Sequence, residues 1–595
     1  MSSTIMVNAT DTRNWILKTP LNDCLKLRDK VKQDDFIPLC PLEFNPGINT
    51  TKHAKKKPAT NQNRRKKPRS TFDFRSYIIQ KGLEFEEEIV HKLSKKFKVK
   101  FVSDRINTES IELTKKYMKE GIPIIHSAPM RDNKSRTQGI ADLLIRSDYL
   151  KKIFAKDPIP DIKKSSNMYY VVDIKFSTLS LCSDGVHMLN RGNVPSYKAQ
   201  LFIYNRILNK IQRRSDTISF ILGRGVKFVS GGIENYHKDP FYTLGVVDFD
   251  KRDHKYVAMT NESVKWVREV RCKSHKWDLT KPDRKELYPN MCKNNLFKDI
   301  KKTLSEQVGE ITKVWQCGTR HRDISHSKGV FSWENPKFNS SLVDIKGERG
   351  RIIDSILRVN RDENPESRVL PKKIDSNLYN WRDEVTEAFV DFETINDLST
   401  NKVVIFMIGV WSKNPRRLRS SRSLWSYHSF TAKDLSPRSE LEIMLQFYHM
   451  YRHHRLWYWV AEDIFFSKSL EKLHTYFSAI NDKGRVKKIR DMKSLEWRDL
   501  AKLIKTEPVV VKGCMNFKLK EFSKALYDNG CISTKIPEGA DNIKDGLSAS
   551  IQAERLYMEK AKNVRVHPVM TSIMEYNKFD VNTLWEILNY LREKH

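Results

Sequence analysis

Hydrophobic positions in the first half of the chain follow a helical period and then strand periods. Phe85, Ile89, Leu93 and Phe97 recur every four residues, which predicts an amphipathic helix over residues 77–97. Short apolar runs bounded by polar residues predict the strands that follow. The further predicted elements are strands over 139–145 and 169–176, a helix over 196–211, and strands over 218–222 and 243–249. This mixture indicates a compact α/β region.

A second α/β region begins near residue 385, after a stretch that is rich in tryptophan and charge. Helical patterns around 263–270, 296–315 and 348–359 predict that the intervening stretch is a helical connector. The elements predicted beyond it are strands over 387–394 and 402–411, a helix near 438–452, a strand over 456–461, and helices to the end, one of them over 575–588. A chain of 595 residues is too long for one core, so two large domains are expected.

The first 70 residues are predicted to form a basic tail without stable structure. Within this tail, residues 52–69 hold nine Lys or Arg and no acidic residue, interrupted by prolines and amides. Such a segment cannot bury enough apolar surface to fold alone. A tail that follows phosphates, a nuclear address and a plain solvated linker are the three interpretations that the pattern leaves open.

The charge balance points to a polyanionic partner. Lys and Arg number 108 against 73 Asp and Glu, a formal net charge of +35. Composition alone does not separate nucleic acid from an anionic membrane surface. No apolar run approaches the roughly 18 residues that span a bilayer, and the first residues lack the layout of a signal peptide. We therefore expect a protein inside the cell, in the cytoplasm or nucleus, without a membrane partner.

Two predicted strands of the first α/β region carry acidic residues and a lysine. Asp142 lies inside the strand 139–145, and Asp173 and Lys175 are two residues apart in the strand 169–176, so they share one face. Charged groups inside an apolar strand are costly to desolvate unless something offsets the cost, and a divalent cation does so. Carboxylates suit Mg²⁺ or Mn²⁺. A structural Asp–Lys ion pair is the alternative.

The four sequence blocks around these residues resemble a known nuclease family. KGLEFEEEIVHKL, GIADLLIR, VVDIKFS and YKAQLFIYN, which lie within residues 80–210, resemble the RecB-type branch of the PD-(D/E)XK nucleases in type and order. The resemblance implies Asp142 and Asp173 as metal ligands and Lys175 as the catalytic lysine. It implies Gln200 and Tyr204 as the QxxxY helix that supports the site and contacts substrate. Glu86 would be the helix acid, with Glu84, Glu87 and Glu88 as alternatives.

The family also has members that hold an iron–sulfur cluster through cysteines placed around the same core. Those cysteines are absent here, because the eight cysteines of the chain lie far apart and form no CxxC pair. The spacing also disfavours a zinc ribbon and a disulfide scaffold. We therefore expect Mg²⁺ or Mn²⁺ and no iron–sulfur cluster.

The second α/β region opens with another acidic pair. Asp391 and Glu393 are two residues apart on the predicted strand 387–394, where carboxylates on one face can bind two cations. Near the end of the chain, Tyr576 and Asp580 are four apart on a predicted helix and share one side of it. A carboxylate there completes a metal shell, and a phenol can position the attacking water.

DxE followed much later by YxxxD resembles the DnaQ-like, RNase H-fold exonucleases of the DEDDy type. That family requires another acid between the two blocks, and Glu462 is the candidate, with Asp463 as its alternative. The full order resembles a two-part class of predicted RecB-family nucleases. The resemblance implies an α/β chain with two mixed-sheet nuclease domains: a basic tail at 1–70, a restriction-endonuclease-like RecB-type domain at 71–255, a helical connector at 256–380, and an RNase H-like 3′–5′ exonuclease domain at 381–595.

The expected function is metal-dependent hydrolysis of phosphodiester bonds in DNA, with single-strand ends or flaps as favoured substrates. DNA is favoured over RNA, and a helicase or another repair protein is a possible partner. The alternative is a nucleic-acid-binding scaffold in which one or both nuclease folds have lost catalysis. A chain with a single active site, whose other domain only grips the substrate, is the third possibility.

Overall fold

The computed structural model describes most of the chain. The described residues are 5–33, 74–158, 168–293, 296–364, 367–383, 385–397, 402–413, 424–535, 546–559 and 563–595. The chain divides into two compact units, Met1–Val308 and Gly309–His595. Both units combine helices with mixed sheets, which confirms the predicted α/β class.

The first unit is built on a seven-stranded mixed sheet and a smaller three-stranded sheet. Its strands are β1 (Val7–Asn8), β2 (Val99–Phe101), β3 (Ile124–Asp132), β4 (Thr137–Arg146), β5 (Tyr169–Ile174), β6 (Thr178–Ser180), β7 (Ile218–Leu222), β8 (Gly225–Ser230), β9 (Ile233–His237) and β10 (Gly245–Asp248). Its helices are α1 (Arg13–Ile16), α2 (Leu21–Gln33), α3 (Phe74–Ser94), α4 (Thr108–Lys119), α5 (Ser147–Ile153), α6 (Val194–Gln212), α7 (Lys255–Lys273) and α8 (Lys298–Gln307).

The larger sheet of the first unit has the strand order β10-β7-β5-β4-β3-β2, and β1 also pairs with β4. Strand β5 runs antiparallel to β4 and parallel to β7. Its alternate residues enter two different cores: Tyr169 and Val171 pack with the apolar face of α6, whereas Tyr170 and Val172 pack with α3. Strand alternation therefore directs Asp173, two residues after Val171, toward α6.

The first residues of the chain belong to the core of this unit. Val7, Ile16 and Cys24 are buried in the same core as α6 and α7. The ring centroids of Trp15 and Trp266 lie 5.6 Å apart. The prediction of an unstructured tail over 1–70 is therefore wrong for residues 5–33. The residues against which this segment packs lie far along the chain, so no local pattern indicates its burial. The basic segment 52–69 lies outside the described residues.

The second unit is built on a five-stranded mixed sheet and a separate pair of short strands. Its strands are β11 (Val369–Leu370), β12 (Glu387–Asp397), β13 (Lys402–Lys413), β14 (Trp425–Thr431), β15 (Arg455–Tyr458), β16 (Glu496–Asp499) and β17 (Val510–Val511). Its helices are α9 (Thr319–Ser327), α10 (Gly347–Arg361), α11 (Pro437–Tyr451), α12 (Glu462–Ala479), α13 (Lys483–Asp491), α14 (Leu500–Thr506), α15 (Leu519–Asp528), α16 (Gly546–Met558) and α17 (Pro568–Lys594).

The five strands have the order β14-β13-β12-β15-β16, and β11 pairs separately with β17. Strands β14, β13 and β12 are antiparallel neighbours, whereas β12, β15 and β16 are parallel. Val390 and Phe392 pack into a core with α11 and α12. By alternation, Asp391 and Glu393 face the opposite side of the sheet, where the long helix α17 contacts β12 and β13.

The predicted helical connector over 256–380 is not a separate body. Helices α7 and α8 belong to the first unit, and α10 belongs to the second. Trp266 and Val267 of α7 lie in the core that also holds α6, while Ile353 and Ile356 of α10 lie in the main core of the second unit. The connector prediction is corrected accordingly, because the apolar faces of these helices complete the two cores.

No helix in the described parts of the chain has both the length and the apolar character needed to cross a bilayer.

Candidate active sites

The first acidic pair consists of Asp142 on β4 and Asp173 on β5. The ladder pairs Leu143 with Val172, so its continuation places Asp142 opposite Asp173. The backbone N–H of Ile174 donates to Oδ2 of Asp142 at 2.7 Å. Two opposed carboxylates repel each other, so this arrangement is unfavourable unless a cation or a proton offsets the negative charge.

Lys175, directly after β5, lies beside both carboxylates. Its Nζ is 2.6 Å from Oδ2 of Asp173 and 3.9 Å from Oδ2 of Asp142. Burial and the nearby Asp173 raise the pKa of Asp142 well above its usual value, although Lys175 opposes the shift. Burial alone would lower the pKa of Lys175, but the two carboxylates outweigh it and raise that pKa. Lys175 is therefore a firmly protonated ammonium between two acids.

Helix α6 supports this group through Gln200 and Tyr204. Nε2 of Gln200 donates to Oδ1 of Asp173 at 3.4 Å and to the Tyr204 hydroxyl at 3.0 Å. Burial, with Asp173 and Asp142, raises the pKa of Tyr204 well above 10.0, so its phenol stays neutral. A Cβ at Gly139 would lie 2.4 Å from Cε1 of Tyr204. The missing side chain at 139 makes room for the tyrosine ring.

Among the four acids of α3, Glu86 is the one placed toward this site. Its Oε1 lies 3.0 Å from Nε2 of His126 on β3. The charge of Glu86 also raises the pKa of Asp142, although burial and Asp173 have larger effects and Lys175 opposes them. Glu84 instead pairs with Lys81, Glu88 pairs with Lys92, and Glu87 is exposed.

His126 is a site residue that the sequence analysis missed. It lies in β3, a strand that was not predicted, and no spacing rule links it to Glu86. The next residue, Ser127, has φ of +49° and stands opposite Asp142, where the β3–β4 ladder is interrupted. Positive φ is unusual for a residue other than glycine, and such backbone strain clusters at functional sites.

The second acidic pair is held by an asparagine from α17. Nδ2 of Asn577 donates to Oδ2 of Asp391 at 2.7 Å and to Oε1 of Glu393 at 3.5 Å. The Tyr427 hydroxyl donates to Oδ1 of Asn577 at 3.0 Å. Asn577 is fully buried. It was missed, although its spacing of three from Asp580 places both on one helix face and was a usable signal.

Asp580 and Tyr576 complete the α17 side of this site. Burial raises the pKa of Asp580 to about 6, with Lys520 and the Tyr576 hydroxyl opposing the shift. Burial, followed by the charges of Asp580, Glu393 and Asp391, raises the pKa of Tyr576 far above 10.0. The phenol therefore keeps its proton and can act as a hydrogen-bond donor.

Burial also raises the pKa of the strand carboxylates. The pKa of Glu393 rises to about 8, and the pKa of Asp391 rises well above its usual value. Lys520, near the start of α15, lowers the pKa values of both acids, and its Nζ lies 4.1 Å from the ring centroid of Tyr576. Lys520 is a second cationic neighbour that the sequence analysis did not single out.

Glu462, the first residue of α12, lies close enough to add to the raised pKa values of Asp391 and Glu393. Burial raises its own pKa to about 8. The neighbouring Asp463 instead shares a hydrogen bond with the Tyr458 phenol. Two residues before Glu462, Val460 has φ of +84°. That strained turn ends the strand early, at Tyr458 rather than residue 461, and starts the helix at Glu462.

Both sites have the donor chemistry that a divalent cation requires. Carboxylate oxygens suit Mg²⁺ or Mn²⁺, and Oδ1 of Asp580 is buried without a hydrogen-bond partner among the described residues. As the side chains stand, no group of three or more His, Cys, Asp or Glu within the described ranges is spaced as a metal site. Coordination would therefore involve a shift of these side chains toward the ion.

Searches of family models, curated proteins and solved structures found no match to this chain.

Proposed function

We propose that this protein is a Mg²⁺- or Mn²⁺-dependent nuclease that hydrolyses phosphodiester bonds in DNA at two separate sites. The observation that carries the proposal is that three buried acids, Glu393, Glu462 and Asp580, gather with the half-buried Asp391 from three distant elements. Buried carboxylates with raised pKa values are expensive to maintain, and they are concentrated at functional sites. A cation-binding role explains why the chain maintains them.

In the second site, Asp391, Glu393, Glu462 and Asp580 would hold the cations. Bound cations supply activation of water and neutralise charge on the phosphate. Asn577 fixes the orientation of Asp391 and Glu393 through its carboxamide. Tyr576 keeps its proton and positions the water for attack, as the DEDDy resemblance implies. The Lys520 ammonium lies beside Tyr576 and offsets negative charge in the cluster.

In the first site, Asp142 and Asp173 would hold the cation. Lys175 is placed to orient a water or to stabilise charge on the phosphate, because it is protonated and contacts both acids. Gln200 and Tyr204 hold Asp173 from α6. Glu86, held by His126, is the third acid of the group. These are the roles that the RecB-type resemblance implies for the same residues.

Several features support a nucleic-acid substrate and the two-part nuclease resemblance. The net charge of +35 favours a polyanion. Each unit has a mixed sheet with its acids on adjacent elements, as a restriction-endonuclease-like and an RNase H-like domain would need. We propose DNA with single-strand ends or flaps as the substrate, a helicase or repair protein as partner, and the cytoplasm or nucleus as location. No iron–sulfur cluster is part of the proposal.

The test is a cleavage assay with the full chain and end-labelled single- and double-stranded DNA and RNA, with Mn²⁺ or with a chelator. The proposal predicts DNA products only when the cation is present, with shortening from the 3′ end as one component. A nucleic-acid-binding scaffold would bind DNA equally with and without cation and leave it intact. That outcome would overturn the enzyme assignment.

A further inference from the structure

Three arginines of the first unit gather around the turn between β3 and β4, away from Asp142 and Asp173 of the first site. Arg136 lies in the turn, Arg206 on α6 and Arg268 on α7, and all three are half-buried. Burial lowers the pKa of Arg206, Asp132 opposes the shift, and the charge of Arg268 adds to it. Burial also lowers the pKa of Arg268, and the charge of Arg136 lowers it further. The guanidinium group of Arg268 is therefore close enough to repel those of both Arg206 and Arg136.

Neutral groups hold this cluster in place. Arg206 donates from Nη1 to Oδ1 of Asn261 at 2.8 Å and from Nη2 to Oγ1 of Thr137 at 3.3 Å. Arg268 donates from Nη2 to the carbonyl oxygen of Ser135 at 2.6 Å. Asp132, whose charge acts on Arg206, is already bound at 2.5 Å by Lys210. None of the three arginines forms an ion pair with an acid among the described residues, so positive charge is concentrated here.

Three hydrogen-bond donor atoms of the cluster also lack an acceptor among the described residues. Nη1 of Arg136, Nε of Arg206 and Nε of Arg268 are buried and have no hydrogen-bond partner among the described residues. Leaving a buried donor unpaired destabilises a protein, and the more so when the group is charged. Arg136 also has φ of +54°, an unfavourable backbone conformation for any residue but glycine. These covered atoms would reach a ligand only after the half-buried arginine side chains shift toward it. Three unpaired donors and a strained arginine at one place favour an anion-binding role.

We infer that Arg136, Arg206 and Arg268 form a binding site for a phosphate group of the nucleic acid. Planar guanidinium groups match phosphate oxygens with paired hydrogen bonds, and several of them together offset its charge. Arg136 is the last residue of the turn before β4 and lies six residues before Asp142, which is about 20 Å at the rise of a β-strand. The bound phosphate is therefore not the one cleaved at the first site, and the cluster grips the substrate away from the cut.

The identity of the phosphate carrier rests on the proposed function, whereas the anion site itself does not. The first arm of the test therefore uses inorganic phosphate alone. Phosphate should raise the thermal midpoint of the full chain and should do so much less for Arg136→Glu. If phosphate stabilises both proteins equally, or neither, the site is wrong, whatever the chain does to DNA.

The second arm measures DNA binding with cleavage blocked by Asp173→Asn and Asp391→Asn. Arg136→Glu should weaken binding of a 3′-labelled single strand at least tenfold and reduce the slope of log affinity against log salt by about 0.7. Lys134→Glu is the matched control, because Lys134 is exposed in the same turn and undergoes the same charge reversal. Equal effects of the two substitutions would mean general electrostatics and would overturn the assignment.

A second variant separates binding from folding. Arg136→Gly removes the guanidinium but suits the positive φ, so the protein should be as stable as the parent or more stable, and still lose DNA affinity. Comparing 5′-phosphorylated and 5′-hydroxyl strands identifies the carrier. If Arg136→Gly loses affinity only for the phosphorylated strand, the cluster binds a terminal phosphate. If it loses affinity equally for both strands, the cluster binds a backbone phosphate. Undiminished DNA binding by Arg136→Gly would contradict a nucleic-acid role.

Discussion

Asn577 occupies the space that a side chain at position 409 would need. Gly409 on β13 pairs with Asp391, and a Cβ at 409 would lie 1.5 Å from Oδ1 of Asn577. The asparagine reaches Asp391 only because the neighbouring strand has no side chain at that point. The geometry of the second site therefore depends on a glycine that carries no functional group.

Gly409→Ala is predicted to displace Asn577 and to disorder the second site. Overpacking of this kind typically destabilises a protein by about 1–3 kcal/mol. The 3′–5′ shortening of DNA should fall at least tenfold, while cleavage by the first site should persist. The measurement is a time course of end-labelled product lengths, together with the thermal midpoint.

The matched control for this substitution is Gly484→Ala in α13 of the same unit. Its Cβ would meet only Oδ1 of Asp482, at 3.7 Å, an ordinary contact. Alanine in an exposed helix is favoured over glycine by about 1 kcal/mol, so this variant should be active and slightly more stable. Normal shortening activity in Gly409→Ala would contradict the role given to Asn577.

The stability of the metal-free protein is predicted to carry a pH signature of the second site. Burial raises the pKa of Glu393 from 4.5 to about 8. A raised carboxyl pKa contributes stability that is complete below the unfolded value, and this contribution is lost as the pH rises through the folded value. Between pH 5 and about 8, wild type should therefore lose stability relative to Glu393→Gln, which cannot titrate at this position.

Divalent cations should reverse this loss. Cations compete with protons for the carboxylates, so Mn²⁺ should raise the thermal midpoint of wild type more at pH 8 than at pH 6. The comparison is a set of melting curves in chelator and in Mn²⁺ at both pH values. A stabilisation by Mn²⁺ that is equal at both pH values, or equal in Glu393→Gln, would argue against these ligands.

The first residues of the chain are predicted to be essential for the stability of the first unit. Ile16 is 4% exposed and lies in the core with α6 and α7, so Ile16→Ala should cost about 2–5 kcal/mol. Arg13→Ala, at an exposed position of the same short helix, is the control and should change little. Denaturant unfolding measures both, and equal small effects would show that residues 5–33 do not contribute to the core.

The parts of both sites that follow from strand and helix periodicity could be predicted from the sequence. Asp391 and Glu393 share a strand face, and Tyr576 and Asp580 share a helix face, because those spacings fix direction locally. His126, Lys520 and Gly409 could not be found in that way. Their importance depends on which elements become neighbours, and a single sequence holds no local trace of that.

The same limit explains the two corrected boundaries. Apolar residues are about as frequent in 5–33 as in the chain as a whole. The burial of this segment depends on α7, however, which lies more than 220 residues away in the chain. Helices α7 and α10 were correctly expected as helices near 263–270 and 348–359. Their apolar faces did not reveal which core each would join, so the expected connector was divided between the two units.

We propose that two separate clusters of carboxylates cleave DNA with the help of divalent cations. The comparison that decides this uses wild type, Asp173→Asn, Asp391→Asn and the double variant on end-labelled DNA in Mn²⁺, after equal DNA binding has been confirmed. Each single variant should lose one component of the product pattern, and the double variant should lose at least a hundredfold in total rate. A double variant that cuts as fast as wild type would contradict the account.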